Sequence, residues 1–211
     1  MTRPTHPADH DGTGIDMTHT TTARLAAPMR SAPTAPARSE SAIVTSLAGR
    51  RALAVLRLST GFIFLWAFLD KTFGLGFSTP VAKSWINGGT PSQGFLNSPA
   101  VVGPLKPFFA AIASPTSDVL FMIGMLAIGV AVMLGIGLRV SAVVGTVILL
   151  FMYLAEWTFG ANSASTNPVI DYHIIYALAL IVVAVLSAGD GWGFGLAWKR
   201  LSFVQSHRWL I

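Results

Sequence analysis

The chain contains no cysteine. That absence removes disulfides, thiolate metal ligands and Cys-x-x-Cys redox pairs together. Electron transfer here would need an organic cofactor or a partner's metal. Charge is also scarce: 11% of the 211 residues, against about 25% in soluble domains. A water-soluble domain of this length would need more charge to cover its surface. Apolar runs are missing from residues 1–41, which are rich in Thr, Ala, Pro, His and Arg. Such a segment buries too little to offset its ordering entropy and reads as a disordered tail. It lacks the hydrophobic stretch of a cleaved signal peptide. Its His6, Asp9, His10, Asp11, Asp16 and His19 have no folded scaffold to fix them around a metal, and Met17 and Met29 offer alternative starts.

What is abundant is hydrophobicity, 53% of residues, concentrated after Ala52. Four runs approach the roughly 20 residues needed to cross about 30 Å of hydrocarbon as a helix: Ala52–Phe73, Asp118–Leu138, Val140–Trp157 and Pro168–Ala188. The expected fold is therefore all-α, a four-transmembrane-helix bundle with a long external loop between its first and second spans. The expected division is a tail over 1–49, a membrane domain over 50–198 and a short tail over 199–211. The first span holds Arg57, which must snorkel to an interface for the span to fit.

The net charge of +5 does not indicate nucleic acid, because the basic residues flank apolar runs rather than interleaving with stacking aromatics. Ten of them lie on one side of the spans: Arg3, Arg24, Arg30, Arg38, Arg50, Arg51, Arg139, Lys199, Arg200 and Arg208. Lys71, Lys83 and Lys106 lie on the other. This asymmetry predicts a multi-pass protein of the cell membrane with both termini cytoplasmic. The 74–115 connection, broken by six prolines, is then external. Its aromatics predict a cap over the bundle mouth, with short helices near Thr79–Asn87 and Pro104–Ala113.

Ionisable groups gather at the outer ends of the spans: Asp70 and Lys71, Glu156, Asp171 and His173. Charge inside a span is costly unless paired or hydrated, so one shared polar site is the functional reading. Simple interfacial anchoring is the alternative, and for Lys71 the stronger one. Tyr153 and Glu156 are three residues apart, as are His173 and Tyr176, so each pair shares a helix face. Asp171 and His173, two apart, should point in different directions on one helix. No metal site is expected, because His173 has no His or Cys partner at ligand spacing. A quinone-type headgroup needs hydrogen-bond donors and a proton acceptor beside an apolar wall. Asp70, Glu156, Asp171 and His173 are the candidate catalytic residues for such chemistry, with Lys71, Tyr153 and Tyr176 the candidate substrate contacts. Ala127, Ala131 and Gly135 form a small-residue stripe suited to close helix contact. The glycine-rich run 189–195 lacks the strand and following helix of a phosphate loop.

The chain resembles the DoxX/DoxD-type membrane proteins over roughly residues 50–198. The residues that carry the resemblance are Leu56-Arg57-Leu58 with Gly61, Phe64 and Asp70-Lys71, then Trp85-Ile86-Asn87-Gly88-Gly89-Thr90-Pro91 with Gly94-Phe95-Leu96. Leu134-Gly135-Ile136-Gly137-Leu138-Arg139, His173 and the glycine-rich exit from the last span complete it. The resemblance implies a four-helix bundle and a link to quinone-dependent sulfur oxidation, in which DoxD-like proteins form the large subunit of a thiosulfate:quinone oxidoreductase. It thus implies quinone as electron acceptor, thiosulfate or a similar reductant oxidised at the outer face, and a second membrane or soluble redox subunit as partner. Two other functions fit the residues: a non-catalytic scaffold that docks a redox partner through the 74–115 loop, and a small-solute carrier. Four spans leave little room for the carrier's alternating access.

Overall fold

The structure, a computed structural model, describes residues 39–159, 167 and 169–211. Every regular element among them is helical. Three helices are long and apolar enough to cross a membrane: α2 (Leu47–Phe73), α5 (Pro115–Leu134) and α6 (Leu138–Glu156). A shorter apolar helix, α7 (Tyr172–Val185), joins them. The small helices are α1 (Glu40–Ile43), α3 (Pro91–Leu96), α4 (Lys106–Ile112), α8 (Gly195–Arg200) and α9 (Ser202–Ser206).

Local chemistry sets the ends. Ser46 caps α2 by accepting from the Gly49 N–H, so the helix begins five residues before the apolar run does. Its 27 residues extend about 40 Å. Ser114 and Ser117 form a reciprocal capping box that starts α5, satisfying backbone donors the first turn would otherwise orphan. Gly135 ends it in the left-handed conformation at φ 76°, where a Cβ would be strained. α6 follows at once. At 14 residues, α7 is shorter than the sequence suggested, about 21 Å, because Asp171 caps its start and the chain turns through Ser187 at φ 54°.

α2 packs chiefly against α5, and α6 against α7. Two glycines make the first crossing close: a Cβ on Gly129 would lie 2.6 Å from the Leu65 nitrogen, and one on Gly61 2.8 Å from the Met133 nitrogen. Of the expected stripe, Ala127 is exposed and Ala131 partly buried, whereas Gly135 does make a close approach, a Cβ there lying 2.7 Å from the Gly189 Cα. Phe64, Ile128, Val132, Leu149 and Leu180 form the centre of the core, whereas Leu120, Val143, Val147 and Val185 are exposed. Outward apolar side chains on every long helix suit lipid as the surrounding solvent.

The 74–114 connection is structured. Short 3-10 turns occupy Val81–Lys83 and Trp85–Asn87, α4 occupies Lys106–Ile112, and α3 at Pro91–Leu96 adds a helix beyond the two predicted. Val101 and Phe109 bury against Ala155, and the Val102 N–H donates to the Ala155 carbonyl at 3.0 Å. The connection is therefore fastened to the end of α6.

Where α5 turns into α6, Arg57 corrects the snorkelling expectation. It is fully buried, at 0% exposure. Its Nη1 donates to the carbonyls of Val132, at 2.8 Å, and Met133. Its Nη2 donates to Trp192 O at 2.8 Å and, more weakly, Gly191 O at 3.4 Å. The guanidinium supplies a donor to the Met133 carbonyl and a second donor to that of Val132, which also accepts from the Gly135 N–H at 3.1 Å, and it fixes the glycine-rich segment against the last turn of α5. Glu40, also buried, accepts from Gly191 N at 3.0 Å, and its own N–H donates to Asp190. Asp190 in turn pairs with Lys199 at 2.8 Å. Of the expected tail over 1–49, residues 1–38, including the His/Asp tract, lie outside the described residues. Residues 40–43 and 47–49 are helical and belong to the folded unit.

Candidate functional site

The predicted site residues divide into two groups and a remainder. Glu156, Asp171 and His173 come together, each offering a ligand-type atom within 4.8 Å of the others. Asp171 and His173 were expected to point apart. They meet instead, with Asp171 Oδ2 at 2.7 Å from His173 Nδ1. The reason is local: Asp171 is not helical but extended, at φ −110° and ψ −174°, so its carboxylate folds back over the first turn. There it also accepts from the His173 and Ile174 N–H groups at 3.0 and 3.3 Å. A carboxylate accepts, so Nδ1 donates, which in the neutral ring leaves a lone pair on Nε2. That atom is buried and has no hydrogen-bond partner among the described residues. Half-buried Glu156 accepts from the Tyr172 hydroxyl at 3.3 Å, and the Tyr172 ring lies 4.0 Å from the imidazole. Tyr153 donates to Val169 O at 2.6 Å, a link between α6 and the approach to α7. Tyr176 packs on the core.

Asp70 does not join that group. It is 1% exposed and accepts from the Phe77 and Ser78 N–H groups at 3.2 and 3.0 Å and the Ser78 hydroxyl at 2.6 Å. Its work is to fold the chain back after α2. Asp118 behaves likewise, accepting from the Ser92 and Gln93 N–H groups at 2.7 and 2.9 Å and from the Gln93 amide. It holds the start of α3 on the first turn of α5.

Lys71 belongs elsewhere. Its Nζ reaches Ser78 Oγ at 3.4 Å, and it borders a cavity of about 1010 Å³. One wall is a helical stripe of α5, Ser117, Leu120, Phe121 and Gly124, and a second is the α6 stripe Val144, Val147, Ile148 and Phe151. Both follow the i, i+3, i+4, i+7 spacing of a single helix face. Phe95 and Phe109 close it from the connection, where Lys83, Asn87 and Thr90 supply polar groups beside Lys71 from the last turn of α2. Leu120, Val144, Val147 and Phe151 are each more than a third exposed, so the apolar part opens sideways onto the face that suits lipid. A long apolar groove under a small polar head space is the shape of a site for an amphipath.

The α5 and α6 walls escaped sequence reading because their residues look like any lipid-facing or core position. Only Gly124, a gap in an otherwise bulky face, gave a signal. Comparison with protein-family models, curated proteins and solved structures found no match to this chain. The case for function rests on the residues themselves.

Proposed function

We propose that the protein is a quinone-linked membrane redox subunit, and that the quinone enters from the bilayer and lies in the cavity between α5, α6 and the 74–114 connection. The observation that carries this reading is the cavity: its volume suits a ring with a hydrocarbon tail, its lower walls are apolar and open to lipid, and its upper end offers N–H and O–H donors to quinone carbonyls. In this reading α7, extended by its flanking residues, is the fourth span. Both termini are cytoplasmic, and the connection is external, as the distribution of Lys and Arg favours. Thiosulfate or a similar small reductant would deliver electrons at the outer face, directly or through a partner subunit. The Glu156–Asp171–His173 group would exchange protons there. The test is to purify the protein in mild detergent, extract it for quinone, and follow quinone reduction with thiosulfate as donor, alone and with co-purifying subunits. Retained quinone and thiosulfate-dependent reduction support the proposal; neither retention nor reduction ends it.

One observation favours a second reading, a scaffold that docks a redox partner. Phe77, Val81 and Ile86 of the connection are 77%, 62% and 61% exposed, an apolar surface of the kind that protein contacts cover. Photo-crosslinking from Ile86 should capture a stoichiometric partner under that reading, and lipid alone otherwise.

A further inference from the structure

The charge of the cavity has a bearing on what its head space accepts. Two of the residues that line it, Lys71 and Lys83, carry ammonium groups, and no carboxylate lines it among the described residues. Lys83 is exposed at the rim, and its ammonium has no hydrogen-bond or ion-pair partner among the described residues. The adjacent acid, Asp70, is directed into the 77–78 turn, where Phe77 and Ser78 donate to it; its charge acts on the Lys71 ammonium through space but forms no ion pair with it among the described residues. Lys71 has only the long contact to the Ser78 hydroxyl. Two cations at the polar end of a groove with apolar walls form an electrostatic trap, and attraction across that low-dielectric boundary exceeds what water would allow.

We infer that the cavity takes its amphipath as an anion, with an ionised oxygen of the head held between Lys71 and Lys83 and a single hydrocarbon chain along the α5–α6 groove. The α6 stripe from Val144 to Met152 gives the chain about 12 Å of wall, and Gly124 keeps the groove open opposite Ile148. A neutral quinone would meet donors but no compensating charge. An ionised hydroxyquinone, a deprotonated hydroquinone or a fatty-acid carboxylate would meet both. The inference rests on the proposed role of the cavity as an amphipath site and adds the sign of the ligand's charge.

The experiment uses the full chain in nanodiscs of zwitterionic lipid. The ligands are an alkyl hydroxynaphthoquinone, ionised at neutral pH, its uncharged methyl ether, and laurate. Binding is read by native mass spectrometry and tryptophan quenching. The expected result is at least tenfold tighter binding of the hydroxyquinone than of its ether. The double variant Lys71→Gln, Lys83→Gln should abolish that difference without weakening the ether more than about twofold. Equal binding of the two overturns the inference while leaving the cavity as a quinone site. Laurate binding with neither quinone bound upholds the anion and overturns the quinone. Binding of none overturns both. Should the double variant unfold, Gly124→Leu, which fills the groove and leaves both lysines, must weaken all ligands that bind; unchanged binding places them elsewhere and overturns the inference.

Discussion

Replacing Arg57 with methionine tests how the end of the bundle at the α5–α6 turn is held together. The guanidinium makes three short bonds, to the carbonyls of Val132, Met133 and Trp192, and one long one to Gly191. A hydrogen bond from a charged donor contributes about 1.5–3 kcal/mol, so three would give about 4.5–9 kcal/mol if they simply added. They do not, because the variant also sheds the cost of keeping a guanidinium out of water. Val132 O keeps the Gly135 N–H, while the Met133 and Trp192 carbonyls lose their donor at about 1–3 kcal/mol each, so about 2–6 kcal/mol is the expected loss. Methionine fills similar volume, so a cavity adds little. Arg57→Lys should fall between, since one ammonium cannot reach both α5 and the 191–192 carbonyls. Unfolding by SDS in mixed micelles, followed by tryptophan fluorescence, measures the difference. Amide exchange should rise at residues 189–195 before it rises in the core. If Arg57→Met lies within about 1 kcal/mol of the parent, the guanidinium is not the link described here.

Three further perturbations separate local roles. Asp171→Ala removes both the α7 cap and the imidazole's partner and should cost about 2–4 kcal/mol; Asp171→Ser retains a cap, so it should recover about 1 kcal/mol, measured in the same SDS titration. Asp118→Ala strips the acceptor from Ser92 and Gln93, and proteolysis within 91–98 should accelerate several-fold while cleavage elsewhere is unchanged. Gly129→Ala places a methyl 2.6 Å from the Leu65 nitrogen. It should therefore separate α2 from α5 and destabilise by about 1–3 kcal/mol, whereas Ala127→Gly at an exposed position should cost about 1 kcal/mol or less.

The sequence made the apolar helices legible because each is a long run bounded by caps or by charge. It was less informative about where they start. Ser46 extends α2 five residues upstream of the apolar run, and Asp171 trims α7; both effects come from one side-chain bond, which hydrophobicity does not register. The gathering of Glu156, Asp171 and His173 followed from their common depth. The meeting of Asp171 with His173 did not, since it depends on an N-cap whose backbone leaves the helical geometry that the spacing argument assumed. Asp70 and Asp118 read as site or boundary residues, yet each is spent on folding the connection. A buried acid satisfied by backbone N–H groups looks the same in sequence as a catalytic one. Arg57 was legible as an anomaly but not as a link, because its partners are backbone carbonyls about 75 and 135 residues away. The cavity was the least legible feature of all. It is made by the shape between two helix faces and a loop, and only its lysines carry a chemical label.

The most direct measurement of the central claim is lipid analysis by mass spectrometry of the protein purified gently from its native membrane, beside Gly124→Leu purified in parallel. Occupancy of the cavity by a quinone predicts near-stoichiometric quinone on the parent and loss of most of it from the variant, with the fold of both intact. Equal quinone on both, or none on the parent above the level in the surrounding detergent, would contradict it.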